Sequence, residues 1–173
     1  MRRMVAQRDR GLNLRMSRRH PRAVPCSDPT PTCNLHAFFP GADMFNHIMV
    51  GANDIERSKQ FYDAVLGVLG AKEPLRNVAA TGHKRLFYRH DGSTFCVSEP
   101  INGEKATFAN GGTIAFKCGS AEQVKQFHDV AIAHGGTSIE DPPGLREGNL
   151  GAMHLAYVRD PDGNKLCAIY RPK

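Results

Sequence analysis

Five cysteines, at positions 26, 33, 96, 118 and 167, are the most reactive side chains in this sequence. Their odd number, the lack of any CxxC pair and the lack of a recognisable secretory leader argue against a disulfide framework. They read as reduced thiols in a cytoplasm. A second chemical signal lies in EDPPGLREGNLG, residues 140–151, which is punctuated by glycine and proline and carries Arg146 and Glu147 near its middle. A guanidinium on such a loop suits a carboxylate or a phosphate, because its forked donors match two oxygens. The same segment also reads as a solvated turn between strands.

Whether these groups can act together depends on the elements that hold them. With 173 residues, 40% hydrophobic and 23% charged, the chain fits one globular domain or a tight pair of half-domains. No run approaches the roughly 18 consecutive apolar residues of a membrane span, so a soluble protein is expected. The formal charge of +6 is concentrated at the start: residues 1–43 hold eight arginines against three aspartates, while the remainder is nearly neutral with 15 bases and 14 acids. Such an arm suits phosphate binding or an organellar presequence, but it lacks interleaved aromatics and its first apolar stretch is short. Its five prolines and lack of hydrophobic period make 1–43 a disordered basic extension, one that a start codon set too far upstream would also produce. Neither nucleic acid nor membrane is the expected partner.

Beyond Met44 the chain repeats itself. SKQFYD at 58–63 returns as VKQFHD at 124–129, and a constant offset of 66 also pairs Ile48 with Ile114, Glu56 with Glu122 and Gly70 with Gly136 without a gap. Each copy opens with an apolar strand, IMV or IAF, and continues into a helix whose start is marked by Asn53 with Glu56, or Ser120 with Gln123. Ile55, Tyr62, Val65, Leu66 and Leu69 share one helical face, as do Ala121, Val124, Phe127, Ala131 and Ile132. Phe61 and Phe127 are expected to anchor each helix to its sheet, with the Lys-Gln pairs in water. Gly70, and Gly135 with Gly136, stop the helices.

The second halves correspond too. RLFYRHDGSTFCVSE and HLAYVRDPDGNKLCAIY each read as strand, Asp-Gly turn and strand, which sets Cys96 opposite Cys167. The predicted fold is therefore α+β, with two tandem βαβββ modules at about 44–99 and 113–171. A linker of about 100–112 joins them, with Phe108 packing over the seam.

HIMVGANDIERSKQFYDAVLG, the closing YVRDPDGNKLC and the paired modules resemble the vicinal oxygen chelate superfamily, which includes glyoxalase I, bleomycin-resistance proteins, fosfomycin-resistance enzymes and extradiol dioxygenases. The resemblance spans 44–173 and implies a mixed sheet curled around an open cleft, helices outside, often completed by a homodimer. It is a poor guide to the reaction, since one fold carries several chemistries.

The resemblance also implies four metal-site positions, on the first and last strand of each module. Glyoxalase-type members place His or Gln, Glu, His and Glu there; this chain has His47, Cys96, Thr113 and Cys167. Neither the glyoxalase set nor two histidines with a carboxylate can be assembled from them. Three readings stay open: zinc on His47, Cys96 and Cys167; a weakly held divalent metal on His47 and Glu99; or a metal-free cleft in which His47 is a pocket group. Tyr88, His154 and Arg146 are further candidates for the pocket wall. The implied function is a glyoxalase-like enzyme, such as a lactoylglutathione-lyase type, acting on a small molecule, or else a metal-free sequestering protein of the bleomycin-resistance type.

Overall fold

The computed structural model describes residues 44–149 and 151–172; the basic extension assigned to 1–43 lies outside the described residues. Each copy of the repeat builds one helix and one four-stranded sheet. The first contains β1 (Ile48–Gly51), α1 (Ile55–Val68), β2 (Leu75–Val78), β3 (Lys84–His90) and β4 (Ser93–Ser98). The second contains β5 (Ile114–Lys117), α2 (Ala121–Ala133), β6 (Thr137–Arg146), β7 (Met153–Arg159) and β8 (Lys165–Tyr170). The sheets run β1-β4-β3-β2 and β5-β8-β7-β6. In each, the first strand lies parallel to the last, Met49 beside Cys96 and Ala115 beside Cys167, and the other pairs are antiparallel. The α+β class and the tandem modules are as the repeat predicts.

Side chains alternate along a strand, so each sheet has two faces. Val50, Leu86, Tyr88, Phe95 and Val97 from the first sheet and Ala156, Val158, Leu166 and Ala168 from the second join Phe61, Tyr62, Val124 and Phe127 of the helices in one buried cluster. Their strand neighbours therefore belong to the opposite face. That face carries Met49, Arg85, Phe87 and Cys96 on one sheet and Thr113, Ala115, Tyr157 and Cys167 on the other.

The helix starts differ in one detail from the sequence reading. Asp54, not Asn53, caps α1, accepting from the amides of Glu56 and Arg57 at 3.0 Å. Asn53 instead links the modules: its side chain accepts from the Ala106 amide and donates to Ala106 and to Asp162. Two adjacent capping-type residues leave the choice to tertiary partners. In α2, Ser120 caps as expected, while Gln123 accepts from the Gly119 amide and donates to the Val68 carbonyl at the end of α1.

The repeated KQF-D phrase has a structural basis. Lys59 pairs with Asp63 and Lys125 with Asp129, one helical turn apart, while the phenylalanine between them is fully buried in both helices. Gln60, Lys125 and Gln126 are exposed. Of the predicted faces, Ile132 is the exception, 39% exposed.

The matched glycines serve different needs. Gly70 has φ +96 and ends α1 in the left-handed region, a task that Gly135, φ +91, performs for α2. Gly136 is required for space: a Cβ there would lie 2.8 Å from the Ala131 carbonyl, 3.0 Å from the Arg159 carbonyl and 3.0 Å from the Phe61 ring. Gly136→Ala is thus expected to destabilise by about 1–3 kcal/mol, as overpacking against backbone does. Gly67→Ala, in α1 with no atom within 4 Å of the new methyl, should instead stabilise by about 0.5–1 kcal/mol. Urea unfolding of both variants checks this; a Gly136→Ala protein as stable as Gly67→Ala would refute the close approach.

The Asp-Gly turns that align in sequence also diverge. Asp91 and Gly92 both have positive φ, +47 and +77, as a two-residue hairpin turn requires. In the second module the turn is longer and locks the modules together. Asp162 accepts from the Asn53 amide and side chain, from Arg57 and from the Ser58 hydroxyl, all at the start of α1. Phe108 of the linker packs on Gly163 and lies under the Arg159 guanidinium, 4.9 Å away, both on the second module.

Segment 140–151 departs from the loop reading. Its first half belongs to β6, with an irregular pairing between Ile139 and Gly144 and with Glu140 at φ +61. Two prolines cannot donate to a ladder, so they sit where the strand bulges.

Candidate functional site

The four positions implied by the resemblance all belong to the face away from the helices, but they differ in environment. His47 is exposed just before β1, its Nδ1 2.9 Å from the Asn46 side-chain oxygen. Thr113 is exposed just before β5. Cys96 and Cys167 lie mid-strand and buried, and burial pushes both thiols above the ordinary range. At Cys96 the push is opposed by Arg85 and Arg89, and at Cys167 by the Tyr157 phenol. Without a metal both are thiols at neutral pH, and an ion binding there would have to displace their protons.

The donor set does not fit a metal ion. Among the described residues, no three His, Cys, Asp or Glu side chains stand close enough to hold one. Glu99, the residue that could restore a carboxylate, instead accepts from the Lys84 amide at 2.7 Å, capping the start of β3, the neighbour of the strand it follows.

The remaining candidates separate. Tyr88 is on the other face: its hydroxyl donates to Asp63 at 2.9 Å, and burial and that carboxylate hold its phenol well above the usual range. His154 also faces the helix side, its ring 6.1 Å from Tyr170. Both were expected in the pocket wall with His47, but strand alternation sends them away from it: Tyr88 follows Phe87, a cleft-side position, and His154 sits one residue from Leu155, which shares a face with Tyr157. Tyr88 instead borders a separate apolar crevice of about 350 Å³ with Ile48, Leu66, Phe95, Ile114 and Phe116. Arg146 ends β6, held by the Pro142 carbonyl at 2.7 Å and lying 3.8 Å from Asp141. Its partners thus lie within its own segment.

The cleft face carries residues missed in the sequence. On the first sheet these are Met49, Arg85, Phe87 and Arg89; on the second, Tyr157 and Lys165, with Lys165 Nζ 4.7 Å from the Tyr157 ring and paired to Glu140. The alternation in RLFYR was the available signal: Leu86 and Tyr88 point one way and the Arg-Phe-Arg set the other. The two surfaces meet along the β1 and β5 edges, where Met49, Gly51, Thr113 and Lys165 border a hollow of about 290 Å³ with linker residues Thr107 and Ala109. A larger hollow of about 690 Å³ extends from Met49 and Arg85 to Lys105 and Thr107.

Residues 44–168 match the family model of the Glyoxalase/Bleomycin resistance protein/Dioxygenase superfamily. The chain belongs to this superfamily. Among solved structures it is 51% identical to a glyoxalase/bleomycin resistance protein from Albidiferax ferrireducens T118, over 75% of this chain and 100% of that one, with a TM-score of 0.69. A glyoxalase-related enzyme from Fulvimarina pelagi is 20% identical over 74% of this chain and 88% of that one, TM-score 0.57. A mutant glyoxalase I from Zea mays is 19% identical over 74% of this chain and 44% of its own length, TM-score 0.58. These last two share the superfamily fold and show no more than that. No curated protein matches. No described helix of this superfamily member is long and apolar enough to cross a membrane.

Proposed function

We propose that this superfamily member binds an organic small molecule in the helix-free cleft without a metal, as a sequestering protein of the bleomycin-resistance type. One observation carries the reading. The positions that would hold a metal are occupied by an exposed histidine, an exposed threonine and two buried cysteines, and among the described residues no three ligating side chains converge there. The cleft retains what binding needs, an apolar and aromatic surface with a few fixed polar groups. The glyoxalase-like lyase is the second reading, favoured by His47 standing where the superfamily's first ligand would be. Reduced Cys96, Cys118 and Cys167, all buried, support a cytoplasmic setting. Met49 and Leu75, exposed at 43% and 60% on the cleft face, support a homodimer.

The test is elemental analysis of protein purified without chelators, before and after incubation with zinc, nickel, manganese and iron, together with a thermal-shift screen of organic ligands. Substoichiometric metal is expected, with at least one compound raising the melting temperature, because a ligand of the folded state alone stabilises it. Near-stoichiometric metal that disappears in His47→Ala would overturn the metal-free reading in favour of the lyase.

A further inference from the structure

The cleft face of the first module carries charge that nothing in the described residues neutralises. β3 presents Arg85, Phe87 and Arg89 on one face, opposite Ser98, Cys96 and Thr94 of β4. Arg85 is fixed by a neutral partner: its Nε and Nη2 donate to the Asn77 side-chain oxygen at 3.1 and 2.7 Å. Its Cζ leans over Phe87, 5.9 Å from the ring centroid. Several other cations are compensated, Arg57 by Asp162, Arg76 by Glu56, Lys165 by Glu140 and Arg146 by Asp141, while Lys84, Lys105, Lys117 and Arg159 are, among the described residues, also outside any ion pair. Among the described residues neither Arg85 nor Arg89 takes part in an ion pair. Of the carboxylates bordering the adjoining hollow, Glu99 is committed to the Lys84 amide, and Glu104 stands beside Lys105 without reaching Arg85.

We propose that the ligand of this cleft is an organic anion whose charge meets Arg85, whose apolar or aromatic body lies over Phe87 and Met49, and whose far side is flanked by Arg89. This rests on the cleft being a small-molecule site. The two arginine Cα atoms are four strand residues apart, roughly 13 Å at ~3.3 Å per residue, with the Phe87 ring between them. That spacing brackets a ligand of one or two rings rather than a single small ion. An arginine held in place by an amide is already oriented, so little side-chain freedom is lost when a carboxylate takes its free donors. Beside Tyr157 in the second module, Lys165 is already paired to Glu140, and Arg159 donates to the Gly163 carbonyl at 2.6 Å and lies over the Phe108 ring. The ligand's charged end is therefore assigned to the first module and its neutral part to the Tyr157 side.

The experiment compares 1-naphthoate with 1-naphthamide, equal in shape and different in charge, by equilibrium dialysis against the full-length protein. Naphthoate should bind at least about ten-fold more tightly, the scale of one charge-assisted hydrogen-bond pair. The Arg85→Met, Arg89→Met double variant should erase that preference. So should Asn77→Asp, which neutralises Arg85 without removing it, while Lys125→Met on the outer face of α2 should preserve it. Equal binding of the two probes would overturn the anion assignment and leave the cleft reading intact. A preference that survives both cleft variants would overturn the role of the arginines. Binding of neither probe would count against the cleft itself.

Discussion

Asp160→Ala is expected to lower the free energy of unfolding by about 3–5 kcal/mol, the scale of breaking a buried, hydrogen-bonded charge network. Asp160 is 4% exposed and accepts from four donors: the Tyr62 hydroxyl at 2.6 Å, the Asn164 side-chain amide at 2.8 Å, and the backbone amides of Asp162 and Asn164 at 3.0 and 2.8 Å. The Tyr62 phenol is fully buried; burial, and then the Asp160 carboxylate, hold it well above its ordinary pKa, so it stays a donor through the neutral range. Removing the carboxylate strands that donor and releases the turn whose neighbour Asp162 grips α1. Tyr62→Phe removes only one partner and should cost about 1–2 kcal/mol. Urea unfolding of the two single variants and the double variant gives the coupling. A loss under about 1 kcal/mol for Asp160→Ala would show that water replaces these bonds and that the turn does not hold the modules together.

Phe61→Ala should cost about 3–5 kcal/mol, as large-to-small changes of a buried aromatic do. Its ring has no exposure, meets Tyr62 edge-on at 5.0 Å and reaches the Gly136 backbone of the other module. The deletion therefore opens a cavity at the seam as well as under α1. Gln60→Ala and Gln126→Ala, on exposed positions of the same repeated phrase, should stay within about 0.5 kcal/mol of the parent. If the glutamine variants lost as much as Phe61→Ala, the phrase would not be repeated for packing.

The candidate site was legible only in part, and the residues show why. His47, Cys96, Thr113 and Cys167 were found through the alignment of the two modules, because a repeated backbone puts matched positions on matched faces. Tyr88 and His154 stand on the helix side, because a shift of one residue along a strand moves a side chain to the other face. Arg85, Phe87 and Arg89 were readable from the same parity. That Arg85 lacks a carboxylate partner was not, since Asn77 reaches it from β2 through pairing with β3.

By itself the sequence determined the tandem βαβββ modules, the Phe61 and Phe127 anchors, the helix-ending glycines and the departure from the superfamily's metal-ligand pattern. These depend on local periodicity and on residue identity at repeated positions, which a linear chain carries in full. Only the tertiary structure decided that Asp54 caps α1 while Asn53 ties α1 to the linker and to Asp162, that residues 140–146 form a bulged strand, that Glu99 is committed to a backbone amide and that the cleft's cations are unevenly compensated. Each of these is a choice among partners distant along the chain. Local spacing proposes such partners; packing brings one of them within hydrogen-bonding distance and excludes the rest.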